Sequence, residues 1–181
     1  MANGQMGIRI QTERERKTEG EERGMILAFD PGRDKTGFAF VDDESNLILS
    51  GIFESRECEK FFDALTHNQN LSAYILEQRI KSLPENLISH VKFIAIGNGT
   101  HSKEFHEYIK NRISIEIMTV DERNTTLEAR KLYWKIHKPG LIMRLLPESM
   151  RVPSRVLDDL AAWSIGIRAM KKYRDITENR L

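Results

Sequence analysis

Three acidic positions in this chain fall where strands and helices would deliver them to one place. Met25 to Phe29 is a continuous apolar run ending at Asp30, followed by the turn residues Pro31 and Gly32. Ile113, Ile115 and Ile117 alternate with Ser114 and Glu116, which predicts a strand over 113–120 ending just before Asp121 and Glu122. In an α/β sheet the carboxyl ends of the strands open into a crevice. If these two strands are neighbours, Asp30 and Glu122 converge there. Asp158 adds a third acid from the last helix, with Ala161 and Ala162 three and four residues on, small enough for that face to approach a sheet closely. Asp159 points about 100° away from it. Carboxylates gathered in one crevice repel one another and call for a cation, and hard oxygen donors favour Mg²⁺ or Mn²⁺. Two such ions about 3.5 to 4 Å apart clamp the attacking and leaving oxygens of a phosphodiester. That chemistry uses Asp30, Glu122 and Asp158 as catalytic and metal-binding residues, with Asp121 and Asp159 as second choices. Among 27 acids, each of these taken singly also fits an ordinary turn or helix start; only their conjunction points to a site.

The elements that must position them follow from periodicity. Gly37–Val41 and Leu47–Phe53 are strands around the polar reversal Asp42–Asn46, giving three antiparallel strands in a row with Met25–Phe29. Cys58, Phe61, Phe62 and Leu65 have helical spacing, and Leu76, Ile80, Leu83 and Leu87 continue as a second apolar stripe. Val91–Gly97 is a strand, and 102–111 a helix capped by Thr100 or Ser102. Thr125 with Glu128 forms a capping box starting a helix near Thr126, residues 137–153 are a loop with three prolines, and Ser154 caps a final helix to about Tyr173. Residues 1–24 carry five basic and five acidic residues without apolar periodicity and are expected to form a flexible tail, leaving 25–181 as one domain.

The chain's 181 residues carry a net charge of +1, with 40% hydrophobic residues and one cysteine. A domain of this size needs no disulfide or metal staple. Cys58 cannot form an internal bridge, and the five histidines have no zinc-ligand spacing. Apolar runs are strand-sized, far short of the roughly 20 residues of a membrane span, and no secretory leader is visible. A cytoplasmic protein with no membrane partner is expected.

Residues 130–155 hold Arg130, Lys131, Lys135, Lys138, Arg144, Arg151 and Arg155 against the single acid Glu148. Such a patch suits a phosphate backbone, although a solvated helix face would have the same composition. With Ala129, Leu132, Tyr133 and Ile136 facing the core, Trp134 lies beside Lys131 and Lys138, either stacking on a base or packed beneath Leu141–Leu146. Arg33, Lys35 and Arg123 flank the acids and could contact the scissile phosphate. The apolar cluster Leu141, Ile142, Met143, Leu145 and Leu146 either closes the core or forms the interface of a homodimer.

The segment Ala28–Asp42 (AFDPGRDKTGFAFVD) resembles the first-strand motif of the RuvC-like branch of the RNase H-like superfamily, including the YqgF (RuvX) nucleases and the YqgF-like domain of Tex. Ala95–Glu104 (AIGNGTHSKE) is similar to the Tex version of the fourth-strand motif, Val120–Thr126 (VDERNTT) to the DER segment of YqgF proteins, and Leu157–Trp163 (LDDLAAW) to their terminal helix. The resemblance implies an α/β, RNase H-like fold with a mixed five-stranded sheet flanked by helices. It also implies Asp30, Glu122 and Asp158 as metal-binding acids, and metal-dependent cleavage of branched DNA (Holliday junctions) or structured RNA such as precursor 16S ribosomal RNA. Its Tex-like part implies an alternative: a domain that binds nucleic acid without cutting it. Actin-like and sugar-kinase ATPases have a related fold but clamp nucleotide between two such domains, and a single domain is expected here.

Overall fold

The computed structural model describes residues 24–147 and 150–179. The expected tail therefore lies outside the described residues except for Gly24, and so does Glu148. Three strands, β1 (Met25–Pro31), β2 (Lys35–Asp42) and β3 (Leu47–Glu54), form the antiparallel meander the alternation predicts, with Asp30 opposite Gly37. The β2–β3 reversal is closed by Asp42, whose Oδ1 accepts from the backbone N–H of Glu44 (2.9 Å) and of Asn46 (2.7 Å). Helix α1 (Cys58–Thr66) leads to β4 (Ile75–Gln78); β5 (Val91–Gly97), α2 (Ser102–Lys110), β6 (Ile117–Val120), α3 (Thr125–Ile136), the single turn α4 (Leu141–Arg144) and the long α5 (Asp158–Glu178) complete the order. The sheet is six-stranded and mixed, in the order β4-β3-β2-β1-β5-β6, with β5 parallel to β1 and β6 parallel to β5.

Helices cover both faces, so β1 is apolar on both. Leu27 and Phe29 point into a layer with α1 and α2, where Phe53 stacks on Phe61 at 4.3 Å and Phe29 meets Phe105 edge-on at 5.0 Å. Ile26 and Ala28 point the other way, into a layer under α3 and α5. The small residues of α5 let it lie close: a Cβ on Gly166 would come within 2.7 Å of Val41 and 3.3 Å of Ala28.

Several expectations are corrected. The sheet has six strands, not five, because the supposed helical stripe 76–87 contains edge strand β4 and a 3₁₀ turn, Leu87–His90. Pro84 interrupts any helix there. Gly51 on β3 leaves room for the Tyr74 carbonyl, which a Cβ would approach to 1.9 Å, so the chain pairs with β3 instead of coiling. Strand β6 starts at Ile117 instead of Ile113, whose side chain is buried beyond the end of α2. Neither Thr100 nor Ser102 caps α2, as the Ser102 hydroxyl donates to the Gly99 carbonyl at 2.6 Å. No capping box closes α3: Asn124 starts it in a left-handed conformation (φ 67°), while the Glu128 carboxylate bonds Ser164 and, at 2.7 Å, Arg168 on α5. The Ser154 hydroxyl pairs with that of Tyr133 at 2.9 Å, and α5 starts four residues later, at Asp158. Among the described residues no helix is long and apolar enough to cross a membrane.

Candidate carboxylate site

Asp30 sits at the carboxyl end of the central strand β1, half-buried, beside its cross-strand partner Gly37. The absence of a side chain at Gly37 seats the final helix: a Cβ there would lie 2.0 Å from the Asp158 carbonyl oxygen and 2.8 Å from the Asp159 nitrogen. The first turn of α5 therefore rests on β2 next to Asp30. In that turn the orphan N–H groups and the helix dipole favour the negative charge of Asp158.

Glu122 arrives by a different route from the one expected. Strand β5 lies between β1 and β6, so the two acid-bearing strands are not neighbours. The end of β5 makes up the gap, because Gly97 and Gly99 leave a seat for the Glu122 carboxylate. A Cβ at Gly99 would stand 2.3 Å from Oε1, and one at Gly97 2.8 Å from Oε2. Between them, Asn98 holds the Glu122 backbone: its side-chain Oδ1 accepts from the Glu122 N–H at 3.1 Å, and its own N–H donates to the Val120 carbonyl at 2.9 Å. Thr125 closes the turn, donating to the Glu122 carbonyl from its hydroxyl at 2.8 Å. Gly37, Gly97, Asn98 and Gly99 thus shape the site without being acids. In the sequence Gly37 stands inside the Ala28–Asp42 motif and Gly97, Asn98 and Gly99 inside Ala95–Glu104, with no local sign that they seat α5 and Glu122.

Electrostatically, Glu122 and Asp158 both act on Asp30. Burial, and then the negative charges of Glu122 and Asp158, push the Asp30 carboxyl up from 3.8 to about 7. Nothing acting on Asp30 pulls the other way, and among the described residues none of the three acids forms an ion pair. In donor type and charge the trio fits a hard divalent cation. As they stand, however, no three His, Cys, Asp or Glu side chains among the described residues are gathered closely enough to hold a metal ion.

The second-choice acids are engaged elsewhere. Asp121 pairs with Arg123 at 2.7 Å, which holds its carboxyl below the usual range. Asp159 is fully buried; Arg155 grips it through two nitrogens (2.7 and 3.1 Å) and Ser50 donates to it at 2.7 Å. Arg155 also reaches Glu77 (2.8 Å), which His137 bonds at 2.6 Å. This network anchors the start of α5 to β3 and β4, and it removes both Asp159 and Arg155 from the residues open to a ligand.

The expected basic surface survives only in part. Lys131, Lys135 and Lys138 are exposed, as are Arg33 and Lys35 around the β1–β2 turn, Arg33 standing 3.5 Å from Asp34. Arg123 is exposed but paired with Asp121, and Arg151 is half-buried and donates to the Leu146 carbonyl at 3.0 Å. Trp134 is half-buried against the α3–α5 layer, edge-on to Tyr133 at 4.8 Å, with its indole N–H buried. Leu141 and Leu145 are more than four-fifths exposed and do not cover it.

No family model and no curated protein matches the chain. Among solved structures, the ROK family transcriptional regulator described as a homolog of the E. coli MLC protein aligns with a TM-score of 0.36 at 14% identity. The alignment spans 67% of this chain and only 36% of that one. So distant a likeness carries no argument about function.

Proposed function

We propose that the protein is an RNase H-like, divalent-metal-dependent nuclease of the YqgF type, acting on structured nucleic acid, either branched DNA or folded RNA such as precursor 16S ribosomal RNA. The observation that carries this reading is the placement at the end of β1: half-buried Asp30, the start of α5 with Asp158 seated on Gly37 beside it, and Glu122 seated on Gly97 and Gly99, none of the three acids in an ion pair among the described residues. A structural carboxylate is normally relieved by a base or by backbone donors, whereas an unrelieved cluster at a strand-end crevice is suited to a cation. The antiparallel meander followed by parallel strands, with helices on both faces, supports the RNase H-like assignment.

Asp30, Glu122 and Asp158 would hold Mg²⁺ or Mn²⁺. A pair of such ions, when bound, supplies water activation and charge relief for the departing 3′ oxygen. The chain's own part is positional. The glycine seat and Asn98 fix Glu122, Gly37 fixes the start of α5, and Arg33 and Lys35, exposed around the turn that follows β1, offer donors to the substrate's phosphates. The exposed lysines of the 131–138 segment extend the phosphate contacts, so binding weakens as salt rises.

One observation favours a second reading, a Tex-like domain that binds nucleic acid without cutting: the three acids are not drawn into a metal-enclosing group. An end-labelled panel of four-way junction, duplex DNA and structured ribosomal precursor RNA, incubated with Mn²⁺ or EDTA, separates the two. Cleavage that needs both the metal and Asp30, and is lost in Asp30→Asn, is the expected result. Salt-sensitive binding with no cleavage refutes the nuclease.

A further inference from the structure

A cavity of about 230 Å³ opens at the carboxyl end of β1, on the face opposite Asp30, between the Pro31–Thr36 turn, Ser55 and the first turns of α1 and α2. Pro31, the residue after Asp30, lines it, so cavity and carboxylate site flank the same strand end on its two faces. Resting on the reading of the protein as a nucleic-acid enzyme, we propose that this cavity receives the base of one unpaired nucleotide flanking the phosphodiester at the carboxylates.

Size and lining both point to a base. The volume lies below the roughly 300 to 1,000 Å³ of sites for drug-sized ligands, which suits a single ring system. Phe105 and Tyr108 give aromatic walls. Ser55, Cys58 and His101 bring hydroxyl, thiol and imidazole groups to the same space. The Tyr108 ring is clamped between Phe62 (5.7 Å) and the Arg112 guanidinium (4.6 Å), while its hydroxyl is buried without a partner except the weakly polar Cys58 thiol beside it. That hydroxyl is closed off from the cavity, so what Tyr108 offers a base is its ring, held in place by Phe62 and Arg112. Glu104 on the lining opposes a phosphate inside. Arg33 borders both this cavity and an open one shared with Lys35, so the phosphate has a basic place outside while the base enters. A paired base cannot enter without being unstacked and unpaired at a cost of a few kcal/mol. The substrate is therefore one with an unpaired nucleotide beside the cut, as at a branch point or loop.

The test uses fluorescence anisotropy of the Asp30→Asn protein with a branched or hairpin oligonucleotide, intact or carrying one abasic residue at each unpaired position in turn. An abasic residue at one position should weaken binding roughly tenfold and elsewhere hardly at all. Adding Tyr108→Leu, which removes the aromatic wall, should weaken the intact complex roughly fivefold without weakening the abasic one further, because the ring and the base form one interaction. Cys58→Met, which fills the cavity, should reproduce the position-specific loss. Equal binding of all abasic variants, or a Tyr108→Leu penalty independent of the base, overturns the pocket and leaves the nucleic-acid reading standing. Failure to bind any nucleic acid overturns both.

Discussion

Asp30→Asn should make the metal-free protein more stable at neutral pH while removing its proposed activity. The Asp30 carboxyl sits at about 7 in the folded chain against 3.8 ordinarily, raised by burial and by Glu122 and Asp158. Because the folded state holds this proton more tightly than the unfolded one, the ionised group opposes folding. Stability is intact below about pH 4, falls between about pH 4 and pH 7, and stays low above. At about 1.36 kcal/mol per pH unit the ceiling is about 4 kcal/mol. Partial exposure of the side chain and relaxation around it reduce the expected effect to about 2 kcal/mol. For a domain of this size that corresponds to a melting midpoint higher by about 4 to 8 °C at pH 8. The assay is thermal and urea unfolding of wild type and Asp30→Asn between pH 4 and pH 8 in EDTA, repeated with Mn²⁺. The variant's advantage should grow with pH and vanish near pH 4, and Mn²⁺ should stabilise the wild type alone. An advantage that does not change with pH, or a variant less stable at pH 8, would refute the claim that the acids repel one another across an uncompensated crevice.

Gly99→Ala should place a methyl group in the seat of the Glu122 carboxylate, 2.3 Å from Oε1, and reduce cleavage roughly 10- to 100-fold while the melting midpoint moves by only a few degrees, read by nuclease assay and thermal unfolding together. Asp159→Asn should do the reverse of Asp30→Asn, destabilising the fold by about 3 kcal/mol in urea titration whether or not metal is present, because it leaves Arg155 with one carboxylate in place of two.

How far the site was legible follows from the range of the interactions. Asp30 could be read because an apolar run stopping at Asp-Pro-Gly is a local signal, and Asp158 because two alanines follow it at helical spacing. Asp121 and Asp159 could not be separated from Glu122 and Asp158 by type, as each stands next in sequence. Asp121 is taken by Arg123, only two positions on, whereas Asp159 is held by a network that includes distant groups: Ser50 reaches Asp159 across 109 positions, and Glu77 reaches its partner Arg155 across 78. Strand β4 was misread for a similar reason. A short apolar stretch suits either helix or strand, and the free edge of β3, open at Gly51, settled the matter. For Trp134 the expected cover by Leu141–Leu146 is not found, since Leu141 and Leu145 are exposed, and the ring is half-buried beside Tyr133 instead.

Alternation and turn chemistry in the amino-acid sequence were enough to establish the α/β class, the opening meander, the order of most later elements and the strand-end and helix-start positions of the three acids, since these depend on neighbours a few residues apart. The convergence of those acids was beyond it. Strand β5 inserts between β1 and β6, and only the side-chain-free surfaces of Gly97 and Gly99 let Glu122 reach toward Asp30, as Gly37 lets α5 settle beside it. Close approach of backbones distant in sequence is a property of packing, and a glycine reveals that role only when its spatial neighbour is known.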